Sequence, residues 1–186
     1  LIGLVGSEMC IRDSADITQT TDSPSWGGLY LQYFEKFDQV QQQKGILSVT
    51  KKLFIEKIGS DGKQELLPLG KEKLKTGDKV ITRLTLSLKQ DMDFLYLKDF
   101  RAACFEPIGQ LSGNQWKFGT VYYEESKDAV TNFFFNSLAK GTYVLEYPVW
   151  VNQAGTYQDG IATFQSMYAP EYTAYSCLLY TSDAAD

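Results

Sequence analysis

The chain has 186 residues, 44% hydrophobic and 22% charged, with 18 Lys and Arg against 23 Asp and Glu and no histidine. That length fits one domain with a real core, and the missing histidine excludes Ser-His and Cys-His nucleophile pairs and His-ligated metals. A net charge of −5 argues against nucleic acid as the main partner, and no apolar run is long enough to span a bilayer.

Both ends stand apart from the rest. Residues 4–14 (LVGSEMCIRDS) resemble a translated transposon-end sequencing adapter, and residues 177–186 (CLLYTSDAAD) resemble the same kind of adapter read from the opposite strand. The first stretch carries Glu8 and Asp13 and has no basic start before an apolar run, so it is not a secretory signal. Setting residues 1–14 and 177–186 aside as non-native leaves about residues 15–176. Two of the three cysteines, Cys10 and Cys177, go with the ends, and Cys104 remains. Four acidic residues and one basic residue also go, which leaves 19 against 17 and a net charge of about −2.

Residues 15–25 are rich in Ser, Thr and Asp and read as a linker. Residues 26–37 (WGGLYLQYFEKF) are aromatic and fit a strand or short amphipathic segment, followed by a Gln-rich stretch to Lys44. From Gly45 the period becomes two. Leu47, Val49, Leu53 and Ile55 share one face, and only Lys51 breaks it. Gly59, Ser60, Asp61 and Gly62 signal a turn, so residues 64–69 can return as a hairpin partner. Residues 79–89 alternate most clearly: Val80, Leu84, Leu86 and Leu88 point one way, Arg83, Thr85, Ser87 and Lys89 the other.

Residues 94–97 (FLYL) read as a strand covered on both faces, while 105–107 and 111–117 read as irregular. Further strands are expected over 120–123, 132–138, 142–151 and 161–168. Pro148 marks its strand as an edge or a bulge, and Ala169-Pro170-Glu171 ends the last one. Helix is sparse, with at most a turn or two at 101–105 and 127–131. Seven or so short strands with regular turn signals indicate an all-β antiparallel β-sandwich.

Several side-chain groups invite chemistry. Cys104-Phe105-Glu106-Pro107 approaches the thioester motif C-x-E-Q, but Pro107 has no side-chain carbonyl to acylate the sulfur, so Cys104 reads as a small buried thiol. Asp91, Asp93 and Asp99 lack the glycine and distal glutamate of a calcium loop and read as solvated turn residues. Glu124 and Glu125 are adjacent, so in a strand they point to opposite faces and cannot flank one bond; they read as a charged turn. Trp116, Phe118, Tyr122, Tyr123, Phe133, Phe134 and Phe135 are dense enough for a carbohydrate-stacking platform, although most rings in a sandwich are core. Phe133, Phe134 and Phe135 must alternate faces. No catalytic, metal or cofactor site emerges.

The runs WGGLYLQYFE (26–35), GDKV (77–80), DMDFLYLKDFRAACFEP (91–107), TNFFFNSLAKGTYVLEYPV (131–149) and GIATFQSMYAPEY (160–172) carry a specific resemblance. Together they resemble the C-terminal portion of bacterial α2-macroglobulin-like proteins. The resemblance implies a macroglobulin-like sandwich of immunoglobulin-like architecture over residues 45–176, its last strand truncated, preceded by a linking segment over 15–44. It implies a non-catalytic domain of an extracytoplasmic, broad-range protease inhibitor in the periplasm or at the cell surface, with any lipid anchor on the missing N-terminus. Its partners would be other domains of the same parent chain and, through the parent, target proteases; no cofactor, nucleic acid or membrane span is implied.

Neither bait region nor thioester lies in this sequence. The resemblance therefore assigns a shielding role, with Met167, Tyr168, Pro170 and Glu171 facing a thioester domain. Trp26, Tyr30, Tyr33 and Phe34 would pack where the chain leaves that domain. The rival reading is an extracellular carbohydrate- or surface-binding sandwich that uses exposed aromatics.

Overall fold

The computed structural model describes residues 20, 22–24, 26, 45–59, 62–70, 74–109, 111–117 and 119–177. The adapter-like residues 1–14 and 178–186, together with Tyr30, Tyr33, Phe34 and Phe118, lie outside the described residues; Trp26 and Cys177 are described, and both are exposed. By contact the chain divides into Leu1–Phe34 and Glu35–Asp186, and all the described strands belong to the second unit.

The strands are β1 (Leu47–Ile58), β2 (Gln64–Pro68), β3 (Lys79–Leu88), β4 (Met92–Phe100), β5 (Phe105–Pro107), β6 (Gly113–Lys117), β7 (Thr120–Ser126), β8 (Val130–Leu138), β9 (Gly141–Val151), β10 (Ala162–Ser166) and β11 (Thr173–Tyr175). They form two sheets, ordered β2-β1-β3-β9-β5 and β11-β10-β4-β8-β7-β6, with every pairing antiparallel. The chain thus enters through β1 in one sheet and leaves through β11 in the other.

The sandwich follows from period-two patterning. Along β1 and β3 Leu47, Val49, Leu53, Ile55, Val80, Leu84, Leu86 and Leu88 are buried and the intervening Thr50, Lys52, Arg83 and Thr85 are not. Register pairs Val49 with Leu86 and Leu53 with Thr82, so the buried faces of both strands coincide. The second sheet answers with Leu95, Leu97, Phe133, Phe135, Ala162 and Phe164, and the two inner faces meet in one core. Each large side chain fully withdrawn from water contributes roughly 2 kcal/mol.

The structure differs from the sequence reading in several places. Eleven strands are present, and no helix occurs among the described residues. Residues 105–107 and 113–117 are strands, short ones at sheet edges, where pairing with a neighbour outweighs weak local patterning. The run 94–97 is not covered on both faces: Leu95 and Leu97 are buried, Tyr96 is half-buried and Phe94 is exposed. Glu124 and Glu125 sit within β7 rather than in a turn, on opposite faces as the alternation requires.

Pro148 lies inside β9, which is flanked by β3 and β5. Its carbonyl still accepts from the Ile108 N–H at 3.2 Å, and β5 pairing ends there. The donor that proline lacks therefore falls where the ladder stops, and from Pro148 back to Gly141 this side of β9 has no β5 partner.

Gly160, just ahead of β10, packs directly on the end of β4. A Cβ built at that position would lie 2.2 Å from Phe100 Cβ and 2.6 Å from the Phe100 carbonyl oxygen. Backbone cannot yield as a side-chain tip can. Gly160→Ala should therefore destabilise the domain by about 3 kcal/mol, the upper end of ordinary overpacking, read as a lowered midpoint in urea unfolding; an unchanged midpoint would show that β4 and the 158–160 segment are not in close register.

Candidate functional site

Four of the residues singled out from the sequence converge at one end of the six-stranded sheet. Met167, Tyr168, Pro170 and Glu171 form the connection between β10 and β11. The connection is closed by its own hydrogen bonds: Tyr172 N–H donates to Ala169 O at 2.9 Å, Ser166 N–H to Tyr172 O at 3.0 Å, and Thr173 Oγ1 to Pro170 O at 2.6 Å. Met167 and Tyr168 are 50% and 77% exposed, and Pro170 and Glu171 are also exposed. This is a rigid turn that displays apolar side chains to solvent.

A fifth residue, Phe94, belongs to the same surface and was not read from the sequence as part of it. Its ring meets Tyr168 edge-on at a centroid distance of 5.2 Å, and its carbonyl accepts the Met167 N–H at 2.9 Å. Phe94 has φ 52°, a left-handed backbone that costs a bulky residue about 1–3 kcal/mol. The β4–β8 ladder skips it. The twist turns the ring outward, where it is 48% exposed, instead of leaving it in the strand's alternation. No sequence periodicity signals such a kink.

The outer face of the same sheet carries a second aromatic group. Register places Tyr96, Phe134 and Tyr123 side by side across β4, β8 and β7. Tyr96 stacks on Phe134 at 4.9 Å and Tyr123 leans on it at 6.2 Å, with Trp116 on β6 80% exposed nearby in register with Val121. Tyr96 donates to Asn132 Oδ1, and Asn132 donates to Glu125, so amide and carboxylate groups border the rings. Tyr122, Phe133 and Phe135 point the other way into the core, which separates the six described aromatics of that group into two sets of three.

The third feature is buried and ionic, and the sequence reading did not assemble it. Lys51 Nζ lies 2.8 Å from Asp99 Oδ1 and 2.8 Å from Asp159 Oδ2, with side-chain exposures of 1% for the lysine and 0% for each aspartate. It also donates to the carbonyls of Phe100 (2.7 Å) and Gly160 (3.2 Å). Tyr147 donates to Asp99 Oδ2, and the Ala102 N–H to Asp159 Oδ1 at 3.2 Å. Arg101 is buried beside them, bonded to Thr131 Oγ1 and to the carbonyls of Lys127 and Asp128.

Asp99 is therefore no solvated turn residue: it occupies an inward position of β4, continuing Leu95 and Leu97. The signal available in the sequence was Lys51 itself, a lone charge on a buried face that demands a buried counter-charge. Burial pulls the Lys51 ammonium down, but the two carboxylates outweigh it and the net shift is upward. Burial pushes Asp159 up to about 6, with Lys51 opposing and Asp99 adding to the rise. Burial and the Asp99 charge hold the Tyr147 phenol well above its ordinary value.

Asp91 accepts the Lys140 N–H at 2.7 Å and Asp93 is exposed, so neither joins Asp99. Among the described residues no group of three or more His, Cys, Asp or Glu is placed to hold a metal, and no helix is long and apolar enough to cross a membrane. Cys104 is buried, and desolvation raises its thiol to about 11.

Residues 47–171 match the family model of the bacterial alpha-2-macroglobulin MG10 domain. Solved structures with a similar fold include Salmonella alpha-2-macroglobulin reacted with methylamine, at 19% identity and TM-score 0.56, covering 76% of this chain and 9% of that one. Native alpha-2-macroglobulin from Escherichia coli, spanning domain MG7 to the C-terminus, gives 16% and 0.58 over 80% of this chain and 25% of that one. The Escherichia coli protein activated by porcine elastase gives 17% and 0.60 over 78% and 14%. The chain thus spans a quarter or less of these relatives' length, and at such identities the likeness is one of fold. No curated protein sequence matches.

The thiol of Cys104 offers a direct check on burial. A pKa of about 11 against an ordinary 9.0 leaves about a hundredfold less thiolate at pH 8. Alkylation of native Cys104 by iodoacetamide should be at least that much slower than in denaturant, rising with pH until about 11. Peptide mapping that finds Cys104 labelled as fast as exposed Cys177 in the folded chain would show that the β4–β5 connection is open.

Proposed function

This chain belongs to the bacterial alpha-2-macroglobulin MG10 domain family, and on that premise we propose that it is the non-catalytic C-terminal domain of a broad-range protease inhibitor, packed on a thioester domain of the same parent chain and shielding it. A thioester is an acyl donor that water or any amine consumes, so it survives only where water is kept away. The observation that supports a shielding role is the group Phe94, Met167 and Tyr168, a set of rings and a thioether that project from a closed turn at one end of the sandwich and stay at least 48% exposed.

The chemistry suits the task. Aromatic and thioether groups exclude water by packing and offer no nucleophile to the acyl carbon. Pro170 fixes the backbone that carries them, and Glu171 gives the contact a polar rim. The strained φ of Phe94 fits a residue held in place for contact rather than for its own strand.

In this reading residues 45–176 form the domain, residues 15–44 lead into it from the thioester domain with Trp26, Tyr30, Tyr33 and Phe34 packing there, and the adapter-like ends play no part. The parent would act outside the cytoplasm, where target proteases are met, and its bait region and thioester would lie upstream.

A second reading draws on the outer row of Tyr96, Phe134 and Tyr123 with exposed Trp116 and bordering amides. Such a surface suits stacking on sugar rings, with Asn132 and Glu125 as hydrogen-bonding neighbours. It would make the domain a carbohydrate-binding module.

In the parent protein, Met167→Ala and Tyr168→Ala should each raise the rate of methylamine consumption of the thioester about tenfold, the effect of ~1.4 kcal/mol off the barrier. Unchanged rates in both variants would remove this turn from the shield. For the second reading, a glycan array probed with the full chain decides: specific hits lost in Trp116→Ala support it, and no hits leave the shielding role without its rival.

A further inference from the structure

The Lys51 cluster does more than satisfy a buried charge. We propose that Lys51 and Asp159 condense into an intramolecular isopeptide bond that staples the two sheets, with Asp99 as the proton shuttle. Lys51 is on β1 in the first sheet; Asp99 is near the end of β4 in the second, and Asp159 stands in the segment that leads into β10 of the second.

The four groups are placed with distinct roles. Nζ aims its well-directed hydrogen bonds at the Phe100 and Gly160 carbonyls, at 2.7 and 3.2 Å. Its contacts to Asp99 Oδ1 and Asp159 Oδ2 are 2.8 Å long, so both carboxylates lie directly against the amine. The amine therefore sits directly against the Asp159 carboxyl, 2.8 Å from Oδ2, and is held there by its bonds to the two carbonyls. On the far side of that carboxyl, the Ala102 N–H bonds Oδ1 and is ready for the negative charge that develops there when Nζ adds. Asp99 is held from behind by the Tyr147 hydroxyl on Oδ2, which leaves Oδ1 facing Nζ as the base.

The balance closes without a co-reactant. Asp99 Oδ1 takes a proton from the Lys51 ammonium, and the freed lone pair forms the Nζ–Cγ bond to Asp159. Asp99 hands that proton to Asp159 Oδ2, then relays a second from Nζ, and the Cγ–Oδ2 bond breaks with release of water. One ammonium and one carboxylate become one neutral amide and one water. The two carboxylates hold Lys51 as the ammonium, so the first transfer is uphill; the driving force lies in the product, a neutral amide that removes two charges from a site that excludes solvent. The raised Asp159 pKa of about 6 makes the neutral carboxylic acid, the electrophilic form, accessible near neutral pH. Gly160, which admits no Cβ against Phe100, holds the Asp159 backbone at that distance.

The product is a cross-link between positions more than a hundred residues apart in sequence, as the Lys51 to Gly160 separation of 109 indicates. It would leave Asp99 bonded to Tyr147 and remove one of the two buried cations among the described residues, Arg101 remaining.

Mass spectrometry of the purified, folded full chain tests this directly. The intact mass under denaturing conditions should fall short of the sequence mass by one water, with a branched tryptic peptide joining Lys51 to Asp159. Lys51→Met and Asp159→Ala should each restore the full mass. Asp99→Asn should fold by circular dichroism yet form the link at least tenfold more slowly. Folded wild-type protein at full mass overturns the proposal, whatever the variants do. So does a water loss that maps to a cyclic imide at Asp159-Gly160 with Lys51 free.

Discussion

Everything in this sandwich accommodates one charge placed where none is welcome. Lys51 stands in the middle of the buried face of β1, and a fully desolvated ammonium is tolerated only with opposite charge and directed acceptors around it. Those acceptors come from the far sheet: Asp99 and the Phe100 carbonyl near the end of β4, Asp159 and the Gly160 carbonyl at the head of β10. Because breaking such a pair by losing one partner strands the other, the register between the sheets is fixed there more tightly than apolar packing alone would fix it. Leu and Phe side chains can slide by a fraction of an ångström; an ion cluster with four oxygen contacts cannot. The glycine at 160 follows from the same demand, since only a bare backbone lets the two acceptor segments close around Nζ.

With the interior so determined, the surface divides by strand alternation. β8 puts Phe133 and Phe135 into the core and Phe134 outside, and the outward ring gathers Tyr96 and Tyr123 around it. At the sheet's end the alternation is broken on purpose by Phe94, whose left-handed backbone brings its ring to Tyr168. The domain thus offers apolar groups at its edge and across one face while it offers no metal cluster among the described residues.

The sandwich was legible where the physics is local. β1 and β3 alternate cleanly because one face meets water and the other meets the core, and that contrast is written in residue type. The short strands β5, β6 and β11 were not, because three to five residues at a sheet edge gain their conformation from the neighbour they pair with. Asp99 was misjudged for a related reason: its charge signals water unless its counter-charge is known, and Lys51 is 48 positions upstream. Phe94 could not be seen at all, since a positive φ in a bulky residue is imposed by the turn it supports. The turn at Met167 and Tyr168 was legible as a feature, and the ring that completes it was not.

The entry and exit of the chain have a mechanical meaning. Tension applied at Gly45 and Cys177 loads β1 and β11, which lie in different sheets with no ladder between them. Such a pull cannot simply unzip a hairpin; it must shear one layer of the sandwich across the other. The resistance it meets first is side-chain matter spanning the layers, and the tie from Lys51 to the head of β10 lies on that route. A domain wired in this way bears load as a clamped lap joint does, and its strength under force is set by a desolvated contact more than by the length of its sheets.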